Sequence, residues 1–287
     1  MLRILRPTSL EEAIRLLAED PTSQPLGGGT AIQILRKQGL LAPGSLVDLS
    51  LIPDMRAVDR DASGGLRIGA MATHREVELS NMVGAVAPLL RTTYRHVANV
   101  RVRHTATVGG NLAHADYRSD PPTALLVLDA SIMTAGPGGT RCIPIRDFFV
   151  DLQQTALAPA ELIREIRVPA QRAVWSSAYT KFSSLAANDW PCVGIAVRVD
   201  WDTSGRVTGA RLGVAALAST PLLITLDGLA GATEHELSDA AATAVLQKID
   251  PIADIRGSVE YKKRVCAVVV RDTVSAAYSA ERMAMVP

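Results

Sequence analysis

Residues 25–35 read PLGGGTAIQIL, in which the end of an apolar strand is followed by three adjacent glycines and the start of an apolar helical pattern. Glycine raises the entropy cost of folding, so packing alone is a weak reason to place three of them together. One use of such a run is to bring backbone N–H groups close to a phosphate at the N-terminus of a helix. An ordinary glycine turn that binds nothing is an equally good explanation of this stretch.

The segments around this turn alternate between strand and helix patterns. LRIL precedes SLEEAIRLLAED, in which Ser9 and Glu12 have the spacing of a capping box, and SLVDLSLI follows the glycine turn as a further strand. This alternation over the first fifty residues predicts a small α/β lobe.

The rest of the chain predicts two further regions. From Met55 onward, GGLRIGAMA fits a hairpin strand, Thr73 and Glu76 form a second capping-box pattern, and a helix is expected up to Asn99. In the last third, long strand patterns come first and two long helical patterns follow. We therefore predict an α+β protein with lobes at residues 1–54 and 55–173 and a C-terminal α+β domain at residues 174–287.

Composition excludes several classes of protein. The 287 residues are 48% hydrophobic and carry a formal net charge of +1, so no basic surface for nucleic acid or an anionic membrane is indicated. The three cysteines are far apart and form no metal-binding spacing, which is typical of free thiols in a reducing compartment. No apolar run is long enough to span a membrane, and no signal peptide is recognisable, so we expect a cytoplasmic protein.

A second glycine turn, TVGGN at residues 107–111, follows the first by about 80 residues. Neither turn fits the G-x-G-x-x-G or the Walker pattern, so a Rossmann or P-loop assignment fails. If each loop bound one half of a pyrophosphate through its backbone amides, a dinucleotide would lie between two lobes.

Several segments that run through nearly the whole chain resemble one family. They are, in order, LGGGT, LRIGAMATHREVE, PLL, VRHTATVGGNLAHADYRSDPPTALLVLDA, YTKF, NDW and DIRGSVEYKKR. They resemble the FAD-binding medium subunits of molybdenum hydroxylases, the family of xanthine dehydrogenase and carbon monoxide dehydrogenase flavoproteins. The resemblance implies a two-lobed FAD-binding domain of the vanillyl-alcohol-oxidase/PCMH type, followed by a C-terminal α+β domain, with FAD held noncovalently.

The resemblance also implies which residues contact the cofactor. The first FAD loop, which wraps the pyrophosphate, corresponds to Leu26, Gly27, Gly28, Gly29, Thr30, Ala31 and Ile32. The second loop corresponds to Thr107, Val108, Gly109, Gly110 and Asn111. Apolar contacts are implied for Val97 and Leu162.

Four more positions are implied at the two ends of the cofactor. Asp120 matches an acidic position near the adenosine end, where a carboxylate accepts hydrogen bonds from ribose hydroxyls. Lys181 matches a lysine near the flavin, where its charge would stabilise negative charge on the ring. Asp189 and Trp190 belong to the next segment, which in the family lies near the isoalloxazine. No catalytic residue and no metal ligand is implied for this chain.

The partners are implied in the same way. A large subunit would hold a molybdopterin cofactor, and a small subunit with two 2Fe–2S clusters would pass electrons to FAD, from which they reach an external acceptor. A dimer of such heterotrimers is expected. Where relatives often have a basic pair after the YTKF-like segment, this chain has Leu185 and Ala186, which bears on the outer face of the flavin. The substrate belongs to the large subunit and is not indicated here.

Two alternatives remain at this stage. The same fold serves a stand-alone FAD-dependent reductase or oxidase, although no additional substrate-binding motif is visible. A scaffold that has lost the cofactor is the other alternative, against which the intact glycine loops and Asp120 argue. Two interpretations of His114 remain open, as a residue that contacts the cofactor or as one that makes a structural hydrogen bond.

Overall fold

A computed structural model describes residues 2–171 and 174–284. Its strands are β1 Arg3–Leu5, β2 Gln24–Leu26, β3 Ser45–Asp48, β4 Val58–Arg60, β5 Leu66–Gly69, β6 Ser131–Gly136, β7 Gly139–Pro144, β8 Phe149–Asp151, β9 Gln154–Thr155, β10 Leu162–Val168, β11 Val174–Phe182, β12 Val193–Trp201, β13 Val207–Ala215 and β14 Leu222–Leu226. Its α-helices are α1 Leu10–Glu19, α2 Thr30–Lys37, α3 His74–Leu79, α4 Asn81–Val86, α5 Pro88–Arg95, α6 Val100–Thr105, α7 Val108–His114, α8 Pro121–Val127, α9 Glu234–Lys248 and α10 Val259–Ala284.

The N-terminal part is a small parallel sheet in the order β1–β3–β2, so the predicted alternation of strands and helices is confirmed. The Ser9 hydroxyl accepts a hydrogen bond from the Glu12 amide at 3.1 Å and caps α1. The reciprocal bond of the predicted capping box is absent at Ser9, because the Glu12 carboxylate accepts instead from the amide of Thr8 at 2.9 Å. Strand β2 ends at Leu26, which delivers the chain directly into the first glycine turn.

The middle part is a five-stranded antiparallel sheet in the order β4–β5–β10–β6–β7, with helices α3 to α8 inserted between β5 and β6. The predicted capping box of Thr73 and Glu76 is confirmed at the start of α3. The predicted helix up to Asn99 is too long, because α5 ends at Arg95 and Ala98 has a left-handed φ of 42°. That turn redirects the chain into α6, which leads to the second glycine loop.

The C-terminal part is an antiparallel meander, β11–β12–β13–β14, covered by α9 and α10 around a separate hydrophobic core. The meander also contacts the middle part. A Cβ added to Gly213 of β13 would lie 2.1 Å from the carbonyl oxygen of Thr123 in α8, so only glycine allows this approach. The amide of Ala216 donates to the carbonyl of Tyr117 at 2.9 Å. The predicted α+β class is confirmed, while the boundaries predicted at residues 54 and 173 stay predictions.

Candidate functional site

The two glycine turns are in direct contact. A Cβ on Gly27 would lie 2.6 Å from Oγ1 of Thr107, and a Cβ on Gly28 would lie 1.8 Å from the carbonyl oxygen of Thr105. Side chains do not fit at such distances, so these two glycines are needed for the approach of one loop to the other. The first turn is thereby held between β2 and the segment that joins α6 to α7.

Gly29 is required for a different reason, its backbone conformation. Its φ of 71° is left-handed, a conformation that glycine adopts without steric cost, and it begins α2 without any side-chain cap. The amides of Thr30, Ala31 and Ile32 in the first turn have no partner within the helix. No acidic side chain lies in that turn, and its residues are half-buried. The start of α2 therefore has the free amides and the positive end of the helix dipole through which helix starts can bind anions.

The second glycine turn differs from the first, because three of its backbone amides already donate hydrogen bonds within the protein. The amides of Val108 and Gly109 donate to the carbonyls of Ala72 and Ala70 at 2.9 and 2.8 Å. The amide of Gly110 donates to Oγ1 of Thr107 at 3.2 Å. The amides of Val108, Gly109 and Gly110 therefore already have partners within the protein, while the predicted contact of this loop with a phosphate stays a prediction.

Asp120 and Lys181 form a buried ion pair beside these loops. The Lys181 ammonium lies 3.1 Å from Oδ2 of Asp120, and the two side chains are 4% and 1% exposed. The Tyr179 hydroxyl donates to the other carboxylate oxygen, and Lys181 also donates to the carbonyl of His96 at 2.9 Å. Each oxygen of the Asp120 carboxylate therefore has a partner on β11.

This pairing bears on the predicted roles of the two residues. The side chains of Asp120 and Lys181 lie at one place, 3.1 Å apart, and their predicted contacts with a cofactor stay predictions. Burial raises the pKa of the Asp120 carboxyl, and this effect outweighs the attraction of Lys181. Burial likewise raises the pKa of Tyr179 well above its ordinary value, with the neighbouring Asp120 acting in the same direction.

Tyr179 is a residue of this site that the sequence reasoning missed. The segment YTKF contains the signal, because residues two apart on a strand point to the same face. Tyr179 and Lys181 are such a pair on β11 and both bind Asp120.

The remaining predicted positions lie in two places. Val97 and Leu162 are buried in the first hydrophobic core, 5% and 4% exposed. Asp189 and Trp190 lie between β11 and β12, where Arg256 donates to Asp189 at 2.7 Å. Burial alone would raise the pKa of Asp189, but the hydrogen bond from Arg256 holds it below its ordinary value. Their predicted contacts with a cofactor stay predictions.

His114 and Leu185 lie apart from the contact between the two glycine turns. His114 is the last residue of α7 and is half-buried, and this burial lowers the pKa of its imidazole. Leu185, in the loop after β11, is 56% exposed. Neither residue takes part in the contact between the two glycine turns.

The fit to FAD is tested by the first loop. A dinucleotide pyrophosphate is a flexible dianion, and it needs several N–H donors with no side chain in the way. Gly29 begins α2 without a side chain, and the amides of the first turn of α2 have no partner within the helix. The residues present therefore fit the pyrophosphate of FAD.

No described helix is both long enough and apolar enough to cross a membrane.

Comparison with known proteins gives a consistent result. Residues 1–171 match the family model described as the FAD binding domain in molybdopterin dehydrogenase, and residues 177–277 match the CO dehydrogenase flavoprotein C-terminal domain. The carbon monoxide dehydrogenase medium chain of Hydrogenophaga pseudoflava is 30% identical, over 95% of this chain and 96% of that one. The 6-hydroxypseudooxynicotine dehydrogenase complex subunit alpha of Paenarthrobacter nicotinovorans is 30% identical, over 94% of this chain and 92% of that one.

Solved structures agree along the whole chain. A structure of carbon monoxide dehydrogenase from Hydrogenophaga pseudoflava superimposes with a TM-score of 0.91 at 30% identity, covering 97% of both chains. Quinoline 2-oxidoreductase from Pseudomonas putida 86 gives a TM-score of 0.88 at 25% identity, covering 98% of both chains. The predicted succession of an FAD-binding domain and a C-terminal flavoprotein domain is confirmed. The chain therefore belongs to the FAD-binding medium subunits of the molybdenum-dependent dehydrogenases, a family of oxidoreductases.

Proposed function

We propose that this chain binds FAD noncovalently with the pyrophosphate against the first turn of α2, and that it is the electron-transfer subunit of a molybdenum hydroxylase. The observation that supports this most strongly is the uncapped, half-buried start of α2 behind Gly27–Gly29. Helix starts of this kind bind anions through their backbone amides and dipole.

In this proposal the other predicted residues act around that anchor. The segment from Thr105 to Thr107, which leads into the second loop, forms the wall that holds the first loop in place, since Gly27 and Gly28 pack against it. Lys181 supplies a buried positive charge, kept in position by Asp120 and by the carbonyl of His96. A fixed cation of this kind would favour negative charge on the cofactor and so tune its potential.

The chemistry that FAD supplies when bound is the transfer of one or two electrons. We propose that this chain receives electrons from the 2Fe–2S clusters of a small subunit and delivers them to an external acceptor. A large subunit would hold the molybdopterin cofactor, and the assembly would be a dimer of heterotrimers. The names of the relatives, which include a medium chain and a subunit of a dehydrogenase complex, support this assignment.

The pyrophosphate position is tested by placing a carboxylate at the start of α2. Ala31→Asp adds a negative charge in the first turn, which stabilises a helix by about 0.3–1 kcal/mol but repels phosphate. Ala31→Asn is the matched neutral control. We expect Ala31→Asp to bind FAD at least tenfold more weakly than Ala31→Asn, while the FAD-free protein melts no earlier. Equal FAD affinity of the two variants would contradict the proposal.

A further inference from the structure

The loop between β11 and β12, residues 183–191, is closed at its base. The amide of Cys192 donates to the carbonyl of Phe182 at 2.8 Å, so the two strands meet where the loop begins and ends. The loop carries Asp189 and Trp190 near its end, while Ser184 and Leu185 lie near its start. Its position on the protein is therefore decided by contacts outside these two strands.

One residue from a different segment contacts both ends of this loop. The carbonyl of Arg256 accepts a hydrogen bond from the Ser184 hydroxyl at 2.8 Å. The Nη2 atom of Arg256 donates to Oδ1 of Asp189 at 2.7 Å. Arg256 is only 9% exposed, so this ion pair is shielded from competing water.

Arg256 is itself fixed by a buried network. Its amide donates to Oδ1 of Asp254 at 2.9 Å, and its Nη1 atom lies 3.4 Å from Oδ2 of the same carboxylate. Lys262 of α10, which is fully buried, lies 2.9 Å from Oδ1 of Asp254 and donates to the carbonyl of Ile252 at 2.7 Å. The contacts with the loop are thereby anchored to the longest helix of the C-terminal part.

The other side of the loop contacts the segment that follows α7. The guanidinium of Arg118 lies 5.4 Å from the ring centre of Trp190, within the range of a cation–π contact. Arg118 is held by two bonds to Asp116 at 2.8 and 2.7 Å. Asp116 follows α7, which begins at the second glycine turn. Trp190 therefore lies between the loop end that Arg256 holds and the segment that follows α7.

We propose that Arg256 is a positioning residue whose side chain fixes the Asp189 end of the 183–191 loop and thereby holds Trp190 against Arg118, while its backbone carbonyl holds Ser184 at the other end. The part of this proposal that places the loop at the flavin rests on the proposed function. Arg256 touches neither glycine turn, so its effect on the cofactor is transmitted through Asp189 and Trp190. The chain contains three tryptophans, Trp175, Trp190 and Trp201, which allows a direct measurement.

The test is fluorine NMR of the full chain labelled with 5-fluorotryptophan, with the Trp190 signal assigned through Trp190→Phe. Arg256→Ala is compared with Arg198→Ala. Arg198 is the matched control, because its side chain is also 8% exposed and also pairs with an aspartate, Asp200. Unlike Arg256, it contacts the ring of Trp175. Asp189→Ala removes the same ion pair from the more exposed partner and serves if Arg256→Ala does not fold.

We expect Arg256→Ala or Asp189→Ala to shift or broaden the Trp190 signal, while Arg198→Ala leaves it in place. With FAD added, we expect the Trp190 signal of the wild type to move and Arg256→Ala to bind FAD several-fold more weakly. A Trp190 signal unchanged in Arg256→Ala and in Asp189→Ala would overturn the positioning role and leave the proposed function intact. Failure of the wild type to bind FAD would overturn the proposed function, and with it the placement of the loop at the flavin.

Discussion

Gly28 packs against the backbone of Thr105 so closely that a Cβ on Gly28 would lie 1.8 Å from the Thr105 carbonyl oxygen. This contact joins the N-terminal parallel sheet to the segment that leads into the second glycine turn. The three adjacent glycines at residues 27–29 are therefore required for different structural reasons. Gly27 and Gly28 permit the contact between the loops, and Gly29 provides the left-handed residue from which α2 starts with free amides.

The first prediction concerns Gly28→Ala. The added methyl group collides with backbone rather than with a flexible side chain, so we expect a loss of about 1–3 kcal/mol in the free energy of unfolding, together with weaker FAD binding. Gly138→Ala is the control, because no atom lies within 4 Å of the added Cβ. Urea unfolding checks the prediction, and a Gly28→Ala protein as stable as Gly138→Ala would contradict the contact between the loops.

The second prediction concerns the buried ion pair. Lys181→Met leaves the Asp120 carboxylate buried without its cation, for which a loss of about 3–5 kcal/mol is expected. Adding Asp120→Asn to Lys181→Met removes the unpaired charge, so the double variant should recover part of the stability. Arg211→Met, which breaks a more exposed pair with Asp129, should cost no more than about 1 kcal/mol. Equal losses for Lys181→Met and Arg211→Met in urea unfolding would show that the Asp120 pair is not buried as described.

The third prediction concerns pH. His74 is 1% exposed and packs edge-on against Tyr94 with ring centres 5.0 Å apart. Burial lowers the pKa of its imidazole from 6.5 to about 4. The unfolded chain therefore takes up a proton first as the pH falls, so stability should be lost between about pH 6.5 and pH 4, by about 2–3 kcal/mol at pH 4.5.

His74→Phe keeps an aromatic ring against Tyr94 and removes the titrating group. Urea unfolding of both proteins at pH 7.5 and pH 4.5 is the measurement. The wild type should lose more stability between these two pH values than the variant does. A difference between the two proteins that stays the same at both pH values would show that His74 is not the group responsible.

Local sequence patterns predicted much of the fold. The strand and helix order of the first fifty residues and the capping box of Thr73 and Glu76 are both local signals, and both are confirmed. The end of α5 was missed because Ala98 adopts a left-handed φ that no residue type at that position indicates. Tertiary context decides such a turn.

The candidate site was only partly predictable from the sequence, because it too depends on tertiary contacts. Two glycine turns look alike in sequence, yet only the start of α2 keeps its amides free, because Thr107 caps α7 and Ala70 and Ala72 accept from the second turn. Which amides are free depends on strands that lie far away in the chain. The pair of Asp120 with Lys181, 61 residues apart, likewise follows from the packing of the C-terminal meander against α8 and from no local pattern.

The most direct test of the central claim is the visible absorption spectrum of the gently purified protein, followed by denaturation and identification of any released flavin. The account predicts two flavin bands and the release of one FAD per chain, since noncovalent binding leaves the cofactor free after unfolding. A colourless protein that also fails to take up added FAD would contradict it, and the free amides of α2 would then belong to an ordinary helix start.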